Sequence, residues 1–253
     1  MTATEPTLRI LEELGPATIG LFLDVDGTLL DIAPHPDAVR IAPGLLDDLV
    51  AAEQALGGAL ALVSGRPISE LDRIFTPLRV PASGVHGAEL RRHPGGPVAS
   101  LAQGSLGDDA WGALNELLAE FPGSFAEHKR VSFAVHYPIP GTPVARLERS
   151  LRELMTRIAE PEQRLRLVAG KAVFEIQLPG FDKGQAIECF MTDPPFYNRR
   201  PVFIGDDEID RAGFERALAL GGFAFSVGFE LPGLSGRFSG PDAVRNWLHE
   251  FSR

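Results

Sequence analysis

The sequence predicts an α/β protein: a parallel sheet flanked by helices, interrupted by an inserted α+β unit. Two observations carry this. Short apolar runs that stop abruptly at acids, serine or glycine alternate with amphipathic stretches at both ends of the chain, which is the pattern of buried parallel strands and their crossover helices. Between them, strands of alternating polarity and two longer helices replace that rhythm from about residue 90 to residue 177. At 253 residues the chain is long enough for a main domain and a smaller one. The expected division is a core of 1–87 and 178–253 around an insertion of 88–177.

The elements follow in order. Residues 2–14 have some helical periodicity and read as a lead-in helix. The run Ile19-Gly20-Leu21-Phe22-Leu23 reads as a buried strand, and 45–56 as an amphipathic helix after Pro43-Gly44. Residues 59–63 give a second strand, 68–75 a helix, and a short strand lies near Val80. The insertion opens with a strand near Leu90, followed by a helix at 110–121 and strands at 124–128 and 132–136. A helix at 144–158 and strands at 165–168 and 173–177 complete it. A helix from Lys183, a strand at 201–204, a helix at 209–220, a strand at 223–226 and a helix at 241–251 then restore the alternation.

Charge and composition narrow the function. Lys and Arg total 24 against 34 Asp and Glu, a net charge of −10, which disfavours nucleic acid and anionic membrane surfaces as partners. A small-molecule substrate fits better. The single cysteine, Cys189, cannot form an intrachain disulfide and reads as a buried structural thiol. The N-terminal region carries Glu5, Glu12 and Glu13 and no signal-like apolar run, so the cytoplasm is the expected compartment.

Four clusters sit at strand ends or helix starts, where open α/β sheets place their chemistry. Asp24-Val25-Asp26-Gly27-Thr28 follows the first strand; two carboxylates at i and i+2 can face one crevice if the chain turns after the first. A carboxylate attacking phosphorus needs its charge masked, which a divalent cation does, and the second carboxyl is then available to a departing sugar oxygen. Ser64-Gly65 follows the second strand, where a hydroxyl and backbone N–H groups can hold a phosphoryl oxygen. Lys183 opens a helix and supplies positive charge. Gly205-Asp206-Asp207-Glu208-Ile209-Asp210 gathers four acids, whose repulsion a hard cation relieves.

In this order the clusters match the four signature motifs of the haloacid dehalogenase-like (HAD) phosphatases. Within that superfamily the chain resembles the trehalose-6-phosphate phosphatases from about Ile19 to its end. The strings Leu23-Asp24-Val25-Asp26-Gly27-Thr28, Val63-Ser64-Gly65-Arg66-Pro67, Gly84-Val85-His86-Gly87-Ala88-Glu89, Glu127-His128-Lys129, Gly170-Lys171-Ala172-Val173-Phe174-Glu175 and Gly205-Asp206-Asp207-Glu208 carry the resemblance.

The resemblance implies a Rossmann-like HAD core with a cap, and hydrolysis of trehalose 6-phosphate through an aspartyl phosphate. Asp24 is then the nucleophile, Asp26 the general acid and then base, and Lys183 the charge-balancing cation. Thr28, Ser64 and Gly65 bind phosphate, and Mg²⁺ falls to Asp24, the Asp26 carbonyl, Asp206 and Asp207, with Asp210 in support. Glu127, Lys129 and Glu175 contact the substrate through sugar hydroxyls, and Arg66 contacts the substrate or braces the Ser64 turn. His86 and Glu89 line the hinge, while Lys171 and His136 have no assigned role. A monomer is expected, with association with a trehalose-phosphate synthase as a further expectation.

The alternatives are a phosphatase for another sugar or disaccharide phosphate, a phosphomutase, or a catalytically silent sugar-phosphate sensor. The chain departs from the family pattern at Ile209-Asp210-Arg211, where Thr-Asp-Glu is usual, and at Pro138, where arginine is usual.

Overall fold

The computed structural model describes residue 13 and residues 15–33, 38–159 and 164–251. It separates into two compact units, Met1–Ala99 with Asp182–Arg253, and Ser100–Phe181.

The larger unit is built on an eight-stranded sheet. Its strands in chain order are β1 (Ile19–Leu23), β2 (Leu60–Val63), β3 (Ala82–Gly84), β4 (Glu89–Arg91), β5 (Ala99–Ser100), β10 (Arg200–Gly205), β11 (Phe223–Val227) and β12 (Gly236–Phe238), the missing numbers belonging to the smaller unit. The spatial order is β12-β11-β10-β1-β2-β3-β4-β5, parallel from β12 through β3, with β4 antiparallel to β3. Every residue of β1 and β2 is buried, which explains their unbroken apolar sequences: both faces of these central strands are covered. Gly20 leaves room for the Phe196 ring, which stacks at 5.1 Å on Phe22 beneath the strand. Since β10, β1 and β2 are neighbours, their carboxyl ends bring Asp206, Asp24 and Ser64 to one edge.

Helices α1 (Leu45–Ala55), α2 (Ile68–Ile74), α5 (Lys183–Met191), α6 (Arg211–Ala219) and α7 (Pro241–Phe251) flank this sheet. Gly44 enters α1 in the left-handed region at φ 82°, and Asp47 and Asp48 in the first turn complement the helix dipole. Trp247 of α7 packs against Phe238 of β12 and Phe251, with ring centroids 5.9 and 5.2 Å apart.

The smaller unit has a four-stranded antiparallel sheet in the order β6-β7-β9-β8, formed by Phe125–His128, Ser132–His136, Val173–Gln177 and Arg166–Gly170 respectively. Helices α3 (Asp108–Leu118) and α4 (Val144–Ile158) pack together, burying Leu114, Leu118, Leu147, Leu151 and Leu154. Trp111 of α3 stacks on His128 at 5.3 Å and meets Phe133 at 5.4 Å, so the His128 and Phe133 side chains lie on the helix-facing side of the sheet. Strand alternation sends Glu127, Ala134 and Glu175 to the other side.

Several expectations shift. Strand β4 belongs to the larger sheet, because Leu90 pairs with Ser83 in a hairpin and is buried there. The compact units therefore divide at Ala99/Ser100 and Phe181/Asp182, later in the chain than 87/88 and 177/178. The expected helix at 209–220 begins as a 3-10 turn, Glu208–Asp210, before α6. Strand β12, with only three residues, gave no sequence signal. Cys189 is half-buried rather than buried. The lead-in helix at 2–14 lies outside the described residues except for Glu13, which is helical.

Candidate active site

Asp24 stands one residue beyond β1 and is 4% exposed. Its Oδ1 accepts a hydrogen bond from Lys183 Nζ at 2.6 Å and its Oδ2 one from Thr28 Oγ1 at 3.1 Å. Lys183 Nζ also donates to Asp210 Oδ1, so one ammonium lies between two buried carboxylates. Asp210 is held in turn: its Oδ2 accepts the backbone N–H groups of Asp206 and Asp207 at 2.8 and 3.0 Å. One carboxylate oxygen of each of Asp24, Asp206 and Asp210 lies within 4.8 Å of the others.

Burial raises the Asp24 carboxyl well above the usual range; Lys183 works against this, while Asp210 and Asp206 add to it. Burial alone would lower the Lys183 ammonium, but Asp210 and Asp24 more than offset it, and the net shift is upward. Lys183 therefore keeps its proton between Asp24 and Asp210, with Asp206 close by. Gly27, at φ +81°, adds a geometric observation: a Cβ there would fall 2.1 Å from Asp206 Oδ2. Only a residue without a Cβ lets the turn lie this close to the Asp206 carboxylate. A hard, oxygen-seeking divalent cation fits this donor set in charge, ligand type and spacing.

Asp207, also expected as a metal ligand, is half-buried, and its Oδ1 accepts the Glu208 N–H as the cap of the 3-10 turn. The same turn buries Asp210 beside Asp24 and Asp206. Arg211, at one departure from the family pattern, pairs with Glu208 on the surface, so its charge points away from the cluster.

Ser64 is buried beyond β2, and its Oγ accepts the Arg66 N–H at 3.1 Å. Gly65 lies under the imidazole of His86: a Cβ at Gly65 would meet Nε2 at 2.3 Å. Arg66 turns its guanidinium to Asp26, with Nε and Nη2 donating at 2.7 and 2.8 Å, and to Glu70 at 3.1 Å. Its side chain is 9% exposed while that of Asp26 is 37% exposed. A guanidinium prefers such a planar pairing to an open crevice.

Residues of the Gly84–Glu89 string brace the site. Val85 and His86 adopt φ of 47° and 53°, which side chains with a Cβ rarely do. The N–H of His86 donates to Ser64 O at 3.0 Å and that of Val85 to Arg66 O at 3.1 Å. Gly87, at φ +110°, lets the chain approach Asp182, whose side chain caps the helix that Lys183 opens. Glu89 Oε2 accepts the Ile68 N–H at 2.8 Å, serving the start of α2.

In the smaller unit, Glu127 pairs across the sheet with Ala134, and Ala134 with Glu175. Glu175 is 1% exposed and accepts Ser132 Oγ–H at 2.7 Å. Lys129 Nζ lies 3.9 Å from Glu127 Oε2, and His136 Nε2 lies 3.1 Å from Glu127 Oε1. The three expected sugar-contacting residues thus share the sheet face away from the helices, with His136 and Ser132 as additions that the sequence did not rank.

Comparisons with known proteins give the family and the fold. A family model described as Trehalose-phosphatase matches residues 22–228. The trehalose-6-phosphate phosphatase of Escherichia coli (strain K12) is 39% identical over 245 residues, covering 97% of this chain and 90% of that protein. Among solved structures, the C-terminal domain of the C. albicans trehalose-6-phosphate phosphatase superposes with a TM-score of 0.83 at 20% identity, covering 99% of this chain and 97% of that one. A phosphatase of the haloalkanoate (HAD) enzyme superfamily from Bacteroides thetaiotaomicron gives 0.57 at 16%, covering 92% and 94%. At those identities the structures speak to fold, and the fold is that of the HAD phosphatases. With the family model spanning most of its length and a relative of 39% identity along nearly all of it, this chain belongs to the trehalose-phosphatase family.

Proposed function

We propose that this chain hydrolyses trehalose 6-phosphate to trehalose and phosphate through a phosphoryl group carried on Asp24. The observation that carries the reading is the buried set of Asp24, Lys183, Asp206 and Asp210 at the ends of adjacent parallel strands, joined by Ser64 and Thr28. Asp24 attacks phosphorus, the bond to the sugar oxygen breaks, and Asp26 gives that oxygen its proton. Asp26 then takes a proton from water as it attacks the aspartyl phosphate, releasing phosphate and regenerating Asp24. Lys183 and Thr28 orient the Asp24 carboxylate, and the Ser64 hydroxyl and Gly65 N–H hold the transferring oxygens.

Asp24, Asp206 and the Asp26 carbonyl are the groups that would hold Mg²⁺, with Asp210 fixing the Asp206 backbone. When bound, the ion supplies positive charge to the phosphoryl oxygens and to the carboxylates themselves. Glu127, Lys129 and Glu175 take hydrogen bonds from and to the hydroxyls of the second glucose, a task that suits paired acceptors and penalises sugars lacking those hydroxyls.

The test is phosphate release from trehalose 6-phosphate with Mg²⁺ and with chelator, beside glucose 6-phosphate and sucrose 6-phosphate. Mg²⁺-dependent release from trehalose 6-phosphate in preference to the others is expected. Equal release from all three would remove the substrate assignment, and no release from any would remove the enzyme.

A further inference from the structure

Arg66 makes contacts on two sides of the site. Its guanidinium meets Asp26 through two parallel hydrogen bonds of 2.7 and 2.8 Å and reaches Glu70 through the remaining arm at 3.1 Å. Its backbone N–H donates to Ser64 Oγ at 3.1 Å. One residue therefore ties the hydroxyl on the phosphate side to the carboxyl on the leaving-group side. Two parallel hydrogen bonds set the plane of the ionised carboxylate, which a single point charge does not; when Oδ1 carries the proton for the sugar oxygen, the Nε–H bond to Oδ2 still holds that plane. Asp26 needs that constraint, because its side chain is 37% exposed and water competes for both oxygens. Glu70 lies in the first turn of α2, whose first N–H is held by Glu89. An unbroken chain of contacts runs from Glu89 through α2 and Glu70 to Arg66 and Asp26.

We propose that Arg66 is a positioning residue for Asp26, with Glu70 holding the guanidinium, so that leaving-group assistance depends on both although neither needs to touch the substrate. This rests on the reading of Asp26 as proton donor to the sugar oxygen. The role has a signature in the leaving group. A sugar oxygen departs poorly without a proton, whereas a nitrophenolate departs without one. Misorienting Asp26 damages turnover of the sugar phosphate more than that of the aryl ester. General disorder of the site damages both alike.

Arg66→Lys, Glu70→Gln and Asp26→Asn, each in the full chain at saturating Mg²⁺, are assayed on trehalose 6-phosphate and on p-nitrophenyl phosphate, with thermal melts alongside. Arg66→Lys is expected to lower kcat on the sugar phosphate by about 10²-fold, the scale of a misplaced catalytic group. Its loss on the aryl ester is smaller, so the ratio of the two rates moves in the direction seen with Asp26→Asn. Glu70→Gln, on a side chain 38% exposed and so tolerant of substitution, moves it the same way by less. Equal losses on both substrates in Arg66→Lys and Glu70→Gln, with a shifted ratio in Asp26→Asn, would overturn the positioning role and leave Asp26 as the acid. An unshifted ratio in Asp26→Asn would remove Asp26 as the acid and the proposal with it.

Discussion

Replacing Gly27 by alanine adds one methyl group beside Asp206, and the structure gives the size of the disturbance. The new Cβ would lie 2.1 Å from Oδ2, 2.4 Å from Cγ and 2.9 Å from Oδ1 of Asp206. Ordinary contact begins at 3.4 Å, so the nearest oxygen must retreat by 3.4 − 2.1, or about 1.3 Å. Because the Asp206 backbone is held by its N–H bond to Asp210 and Cγ is also in conflict, the whole carboxylate must swing away about the side-chain torsions. The left-handed φ adds about 1–2 kcal/mol of its own. A displacement near 1 Å costs about 10²-fold in turnover where geometry is catalytic, so Gly27→Ala is expected to lose at least that much in kcat on trehalose 6-phosphate. The assay pairs phosphate release with thermal melts in Mg²⁺ and in chelator. Mg²⁺ is expected to raise the Tm of the parent chain, and the variant should lose most of that rise. Parental turnover together with a parental Mg²⁺-induced rise would refute the reading that the Asp206 carboxylate must keep this position to hold the cation.

Lys183→Met strips the ammonium from Asp24 and Asp210 and is expected to cost about 3–5 kcal/mol, as breaking a buried pair does, read as a drop in denaturant midpoint in chelator. Asp24→Asn should abolish turnover while raising stability in chelator, since one of three crowded carboxylates is gone. The same group gives a pH trend. The folded Asp24 carboxyl sits above its unfolded value of 3.8, so in that window the native chain holds the extra proton, and this contribution to stability falls as pH rises through it. Melts across pH in chelator should show the fall in the parent chain and its absence in Asp24→Asn. Glu175→Gln, buried against Ser132, should raise KM for trehalose 6-phosphate more than for an aryl phosphate; equal effects on both would remove it from sugar recognition.

The large sheet was legible in the sequence because its central strands are buried on both faces, and that leaves unbroken apolar runs such as Leu60–Val63. Asp24, Ser64, Lys183 and Asp206 were legible for a related reason: each breaks such a run or opens a helix, and parallel pairing then brings three of them to one edge. What sequence position could not give was side-chain direction. Asp207 and Asp210 are both acids in one short string, and only the 3-10 turn sorts them, one capping outward and the other buried. Arg66 likewise sits where a substrate contact belongs, yet its partners Asp26 and Glu70 lie 40 residues before it and 4 after, a pairing that spacing does not encode. The strained Val85-His86 pair gave no signal beyond the family string, since neither residue type advertises a positive φ. The position of β4 was missed because a three-residue strand reads the same in either sheet.

The two tryptophans of the chain fall one to each compact unit, Trp111 stacked on His128 in the smaller and Trp247 against Phe238 in the larger. Each unit thus carries its own fluorophore, set in a distinct aromatic surrounding that folding creates. Replacing either by phenylalanine leaves a single-reporter chain, so the melting of the two units can be recorded separately without any label. Whether sugar ligands and Mg²⁺ stabilise one reporter or both then becomes a direct optical measurement.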